Sequence, residues 1–321
     1  MPAILETHGL TKRYGQFTAV NELSLQVEQG AIYGFVGPNG AGKTTTMRML
    51  TTLLEPTAGE AFVAGYSVRR QPRSVRRAIG YMPDFFGVYD DMTVWEYLDF
   101  FAACYEIPET QRRPLIGDLL ELVDLAHRRD DQVDTLSRGM KQRLCLARTL
   151  AHDPQVLILD EPASGLDPRA RVEIRALLLE LSRMGKTIFF STHILADVAE
   201  ICTQVGIVEA GRLVTQGSLA EMQRRLRPHR TLAITLLDRG TDALQAALFG
   251  REAILAVRVA DQAPQGVAEH AVVEVDFAGD DAAVSQLLRD LVQAGLPILR
   301  FAETVHDVED VFMQVTKGIV S

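Results

Sequence analysis

The segment Gly37-Pro38-Asn39-Gly40-Ala41-Gly42-Lys43-Thr44-Thr45 leaves this chain few choices of fold. It spaces one glycine from a Gly-Lys-Thr step by four residues, after the apolar run Ala31-Ile32-Tyr33-Gly34-Phe35-Val36 and before the helix-like Thr46-Met47-Arg48-Met49-Leu50. A strand that turns through glycines straight into a helix aims successive backbone N–H groups at one point, and the helix N-terminus adds its positive end there. Lys43 on such a loop reaches β- and γ-phosphates, and the Thr44 hydroxyl can enter a Mg²⁺ shell. Glycine-rich turns also arise without any ligand. With strand and helix both in register, the pattern points to a bound nucleoside triphosphate.

The 321 residues suffice for one large domain and a smaller one. No apolar run approaches the roughly eighteen residues of a membrane helix. The start, Met1-Pro2-Ala3-Ile4-Leu5-Glu6, has neither the basic residues nor the apolar core of a secretory leader. Cys104, Cys145 and Cys202 stand far apart in apolar contexts, which predicts buried free thiols in a reducing cytosol. The net charge of −9 is uneven: residues 231–321 hold 6 Lys+Arg against 14 Asp+Glu, and the rest is near neutral. Neither part has the basic balance of a nucleic-acid binder, so no nucleic-acid partner is expected. The local cluster Arg69, Arg70, Arg73, Arg76 and Arg77 reads first as solvated surface and second as a partner-binding patch.

Along the chain, 3–7 and 23–27 read as strands with Thr11-Lys12-Arg13-Tyr14-Gly15 between them. Tyr14 suits both purine stacking and an ordinary half-buried role. A turn at 54–60 leads to a short strand at 61–65. Helical periodicity from 93 to 123 predicts an inserted helical subdomain, about 90–150, with Pro108 and Pro114 bracketing a break. Ser137 suits an N-cap for the helix that follows. Val156-Leu157-Ile158-Leu159 and Thr187-Ile188-Phe189-Phe190-Ser191 are continuous apolar runs, the pattern of parallel strands buried on both faces. A helix at 169–184 joins them, and a hairpin turning at Ala210-Gly211 comes later.

The first run ends at Asp160-Glu161-Pro162 and the second at Thr192-His193. Open α/β sheets bind ligands at such carboxyl ends. An Asp-Glu pair at a turn is often only solvated, and a lone histidine is most often ordinary. Behind buried strands, in a chain with a phosphate loop, one carboxylate can hold Mg²⁺ and the other can orient or deprotonate water. His193 is then placed to meet a γ-phosphate.

Together these residues resemble the nucleotide-binding subunit of ABC transporters, over 1 to about 225. The glycine loop is similar to the family's Walker A segment, and 156–162 to Walker B. The resemblance makes Lys43, Glu161 and His193 the catalytic set, with Glu161 as general base. It assigns Thr44 and Asp160 to Mg²⁺. Leu136-Ser137-Arg138-Gly139-Met140 resembles the signature usually read Leu-Ser-Gly-Gly-Gln, in which Ser137 and Gly139 contact ATP. Ser164-Gly165-Leu166-Asp167 resembles the loop that runs between subunits, and Tyr14 the aromatic that stacks on adenine.

Two positions depart from the family pattern. Arg138 and Met140 replace Gly and Gln, and Asp84 stands where a metal-contacting glutamine is usual. Asp84 keeps an oxygen for Mg²⁺ but adds charge and is one methylene shorter. The resemblance implies an α/β P-loop NTPase fold of ABC type. The implied protein is an ATP- and Mg²⁺-dependent ATPase, peripheral on the inner face of the cell membrane. It would pair with itself or a related ATPase subunit and drive a separate permease, as an exporter.

Residues 226–321 are expected to form an accessory α+β domain of ferredoxin-like βαββαβ order, with strands at 231–237, 253–259, 271–277 and 297–301. Helices are expected at 241–249, 281–294 and 305–315. This tail resembles the C-terminal extension of some bacterial exporter ATPases, and Glu309-Asp310-Val311-Phe312 is similar to their ending. A soluble ABC-type ATPase acting on nucleic acid or ribosomes is the alternative. Such proteins usually carry a long coiled coil, zinc ligands or a second cassette, and none is visible in this sequence. The Asn-Lys-x-Asp pattern of guanine readers is absent too.

Overall fold

Continuous apolar runs build the middle of the central sheet. The structure, a computed structural model, describes residues 2–85, 87, 91–218, 221–222, 229–237, 241–259 and 271–303. It divides into two units, one within residues 1–219 and one within 220–311.

The first unit begins with β1 (Ala3–Tyr14), β2 (Phe17–Leu23), β3 (Gln26–Glu28) and β4 (Ile32–Val36), followed by helix α1 (Lys43–Leu50). Next come β5 (Ala58–Val63), β6 (Tyr66–Ser67), α2 (Pro72–Ala78) and β7 (Ile79–Met82). Helices α3 (Val94–Cys104), α4 (Glu109–Leu122) and α5 (Arg138–Leu150) form the helical insertion. The sheet resumes with β8 (Val156–Asp160), α6 (Pro168–Arg183), β9 (Thr187–Thr192) and α7 (Leu195–Ile201), and the unit closes on the hairpin β10 (Gln204–Glu209) and β11 (Arg212–Gly217).

The central sheet has the order β11-β10-β4-β9-β8-β7, with β10, β4, β9, β8 and β7 mutually parallel. Every residue of β4, β8 and β9 is buried. Their period of two sorts side chains to opposite faces. Ile32, Leu157, Leu159, Ile188 and Phe190 join the helical insertion in one core. Tyr33, Phe35, Val156, Ile158 and Phe189 face the other, shared with α1 and the antiparallel sheet β2-β1-β5-β6. The functional loops are thus hung from strands packed on both sides.

Four local expectations are corrected. Residues 11–14 do not lie between strands: β1 continues through them to Tyr14 and pairs with β2 up to Tyr14↔Phe17. The strand expected at 23–27 is broken into β2 and β3. The Thr7 hydroxyl donates to the Leu23 carbonyl and accepts from the Leu25 amide, and the Ser24 hydroxyl accepts from the Gly9 amide, so side chains replace ladder bonds at the bend.

The helical break falls at Tyr105–Pro108, where Glu106 has φ +61, and Pro114 lies inside α4 rather than at the break. Proline in a helix forfeits one backbone hydrogen bond. Pro114 and Thr110, whose carbonyl it leaves without a helical donor, are both exposed to water. Finally, Cys145 is buried and Cys202 half-buried, but Cys104 is exposed. It is the last residue of α3, where the helix runs out into the exposed Tyr105 and Glu106. Burial pushes the Cys145 thiol up to about 11.

The second unit runs β12 (Arg230–Leu236), α8 (Asp242–Leu248), β13 (Ile254–Val259), β14 (Ala271–Phe277), α9 (Asp281–Gln293) and β15 (Ile298–Glu303). Its sheet has the order β13-β14-β12-β15, antiparallel throughout. Leu232, Ile234, Val273 and Val275 pack under Leu244, Leu248, Leu287 and Leu291 of the two helices. The helix expected at 305–315 lies outside the described residues. Among the described residues, no helix is long and apolar enough to cross a membrane.

Candidate active site

The carboxyl ends of β4, β8 and β9 converge on the glycine loop. Two of its glycines are required by close packing. A Cβ at Gly37 would stand 2.3 Å from the Val208 carbonyl oxygen, and one at Gly42 (φ +94) 2.5 Å from that of Ala19. With no side chain at either place, the loop nestles between β2 and β10 and delivers the chain into α1 at Lys43.

The Lys43 side chain is only 6% exposed. Its ammonium donates to the carbonyls of Gly37 at 2.7 Å and Pro38 at 3.2 Å, and lies 3.5 Å from Glu161 Oε1. The other carboxylate oxygen of Glu161 stands 2.8 Å from His193 Nδ1, a contact that needs a proton on that nitrogen. One half-buried carboxylate thus bridges the loop lysine and the histidine. Glu161 has φ +52, a left-handed conformation uncommon for a residue with a side chain. This sharp exit from β8 turns its side chain back toward Lys43. The Glu161 carbonyl accepts from the Ser164 amide at 3.1 Å, closing the turn.

These groups border a cavity of about 470 Å³. Asn39, Gly40, Ala41, Gly42, Lys43, Thr44 and Thr45 form its floor, with Glu161, His193, Ser164 and Asp84 around it. Tyr14, Phe17 and Ala19 from the β1–β2 hairpin also line it. Tyr14 and Phe17 are directly paired across that hairpin and both are exposed, so two aromatic rings border one side. Gly37 and Pro38 contribute through the carbonyls that hold Lys43.

Ser137 and Gly139 are not in this cavity. They border a separate concavity of about 270 Å³ with Arg138, Met140, Gly165, Leu166 and Asp167. Ser137 caps α5, its hydroxyl accepting from the Met140 amide at 3.3 Å. A Cβ at Gly139 would stand 3.0 Å from that of Ala170, so the tip of α5 packs closely on the start of α6.

A family profile described as ABC transporter matches residues 20–164. Over 316 residues the chain is 35% identical to the Nod factor export ATP-binding protein I of Ralstonia nicotianae, covering 98% of this chain and 94% of that one. It is 33% identical over 320 residues to the bacitracin transport ATP-binding protein BcrA of Bacillus licheniformis, covering 99% of each. Among solved structures, cbiO1 from Clostridium perfringens, described as part of the ABC transporter complex cbiONQ, superposes with a TM-score of 0.63 at 28% identity, over 70% of this chain and 92% of that one. The chain belongs to the family of ABC transporter ATP-binding proteins. It is an ATP-binding and ATP-hydrolysing subunit, and its energy drives a membrane transporter.

In this ABC ATPase, Asp160 lies at the end of β8, 1% exposed. Its Oδ1 accepts from the Ser191 hydroxyl at 2.6 Å, while Oδ2 is buried and has no hydrogen-bond partner among the described residues. A buried anionic oxygen without a donor is costly, and a Mg²⁺-bound water would satisfy it. No group of three His, Cys, Asp or Glu among the described residues could cage a metal. Mg²⁺ at phosphate sites usually takes only one or two carboxylates besides phosphates and water, so the donor set fits.

Three participants escape a reading of the sequence. Phe17 is revealed by the hairpin that sets it opposite Tyr14. Ser164 lines the cavity although its motif suggests only a loop between subunits. Ser191 is the least visible: it ends an apolar strand, and only the parallel register Asp160↔Ser191 places its hydroxyl under both carboxylate residues.

Proposed function

We propose that this subunit powers export through a separate membrane permease, and that it works at the inner membrane face as a dimer with itself or a related ATPase. The contact of Glu161 with both Lys43 and His193 carries the catalytic part of this reading. In it, Lys43 neutralises the β- and γ-phosphates, and Tyr14 stacks on adenine beside Phe17. Thr44, Asp160 and Asp84 hold Mg²⁺, which when bound neutralises charge developing on the phosphates. Glu161 takes a proton from water as the water oxygen bonds to the γ-phosphorus and the bond to the bridging oxygen breaks. His193 steadies Glu161 and meets the γ-phosphate.

Ser137 and Gly139 border a different concavity, which supports their serving the nucleotide of a second subunit. Residues 226–321 are taken as a ferredoxin-like accessory domain. The direction of transport rests on the relatives, whose names specify Nod factor export and bacitracin transport.

Affinity purification of the tagged chain from detergent-solubilised membranes should recover an integral membrane partner. Inverted vesicles holding the pair should accumulate a cargo on addition of Mg-ATP, with bacitracin and Nod factor the first compounds to try. Recovery of the chain only from the soluble fraction, with nucleic acid or ribosomes attached, would overturn the transport reading.

A further inference from the structure

The second residue of the signature, Arg138, is a cation at the positive end of α5, where charge of that sign is unfavourable. Its guanidinium has a specific contact. Nη2 donates to the Ser164 carbonyl at 3.1 Å. A Cβ built on Gly165 would stand 2.5 Å from Cζ and 2.6 Å from both Nη atoms, so the planar group lies face-on against that glycine. One helical turn later, on the same face, the buried Gln142 donates through Nε2 to the Pro162 carbonyl at 2.7 Å. Two side chains of α5 therefore hold alternate carbonyls of the loop that starts at Glu161.

We propose that Arg138 is a positioning residue, clasping the 161–167 loop to α5 together with Gln142. The loop lies between the two concavities. At one end Glu161 bridges Lys43 and His193, and Ser164 lines the ATP cavity. At the other, Asp167 caps α6 by accepting from the amides of Arg169 and Ala170, both at 3.0 Å. The clasp makes Glu161 and the tip of α5 move as one body. A glycine at 138 has no side chain to do this, and a lysine cannot lie flat on Gly165. The proposal rests on the reading of Glu161 as the base.

The test uses the full chain with Arg138→Ala, Arg138→Lys, Gly165→Ala and the Ala/Ala double variant. Amide exchange at 164–167 without nucleotide should speed up in Arg138→Ala, and kcat should fall about two- to tenfold, the scale of one hydrogen bond. The Kd for ATP at the glycine loop of the same chain should stay within about twofold, since the guanidinium bonds to the Ser164 carbonyl rather than to that loop. Arg138→Lys should resemble Arg138→Ala. Gly165→Ala, which displaces the guanidinium, should be less harmful in the Arg138→Ala background than in wild type.

Unchanged exchange in Arg138→Ala, full function in Arg138→Lys, or effects of the two alanines that simply multiply would each overturn the clasp. Normal hydrolysis by Glu161→Gln would instead remove the reading of the base, while the exchange comparison still decides the clasp.

Discussion

The Ser191 hydroxyl donates to Asp160 Oδ1 at 2.6 Å and accepts from the Glu161 amide at 3.0 Å, so one side chain of β9 holds both acidic residues at the end of β8. The short distance is that of a charge-assisted bond. Ser191→Ala leaves a buried carboxylate with neither oxygen bonded by a described residue, at a cost of about 1–3 kcal/mol. Urea denaturation should show that loss, and hydrolysis should slow because Glu161 loses an anchor. An unchanged midpoint would mean that water replaces the hydroxyl.

In the proposed mechanism, Lys43→Ala removes the counter-cation of the transferring phosphoryl group. Turnover should fall by about 10²-fold or more, as for loss of one strong transition-state donor. Steady-state phosphate release reads this directly, and near wild-type turnover would sink the phosphate-loop reading.

Glu161→Gln keeps the shape of the bridge between Lys43 and His193 but removes the proposed proton acceptor. Hydrolysis should slow by about 10²–10⁴-fold, with ATP affinity kept. With ATP bound and uncleaved, size-exclusion chromatography should show a stable dimer that wild type lacks. Normal hydrolysis would exclude Glu161 as base. A missing homodimer would count against self-pairing and leave pairing with a related subunit.

Ser137→Arg places a bulky cation in the concavity that holds no part of the glycine loop. It should block hydrolysis on the opposite subunit. Mixed with Lys43→Ala, it should form some dimers with one intact composite site and regain activity. A mixture whose mixed dimers form but are no more active than either variant alone would refute the cross-subunit role.

Asp84 borders the cavity of the glycine loop, at a position where the family resemblance would place glutamine. A carboxylate there attracts Mg²⁺ but repels the triphosphate. Asp84→Gln should preserve fold and ATP binding while shifting the Mg²⁺ concentration for half-maximal hydrolysis, and Asp84→Ala should slow hydrolysis further. A flat Mg²⁺ titration in both variants, with only transport impaired, would leave Asp84 a role at the permease alone.

Much of this fold can be read locally, because its cues lie within a few residues of one another. Gly37 to Thr45 announces a strand, an anion-cradling turn and a helix, and the unbroken apolar runs at β8 and β9 announce a doubly covered parallel sheet with Asp160, Glu161 and His193 at its ends. The Ala210-Gly211 hairpin and the Ser137 cap are local in the same sense: each depends on the backbone preference of one or two residues.

The tertiary structure alone decides what depends on partners distant in sequence. Ser191 serves Asp160 because parallel pairing sets the two strands in register, and no neighbour of Ser191 encodes that. Tyr14 gains Phe17 as a companion because β1 runs on to meet β2, where a reading of isolated runs would stop it at residue 7. Ser137 and Gly139 lie away from Lys43 because α5 packs its tip on α6 rather than on the glycine loop. Arg138, in sequence a substitution in a motif, acquires a contact only when that packing brings Ser164 and Gly165 beneath it. Local preferences act over one turn of chain, whereas these placements follow from burying two faces of one sheet at once.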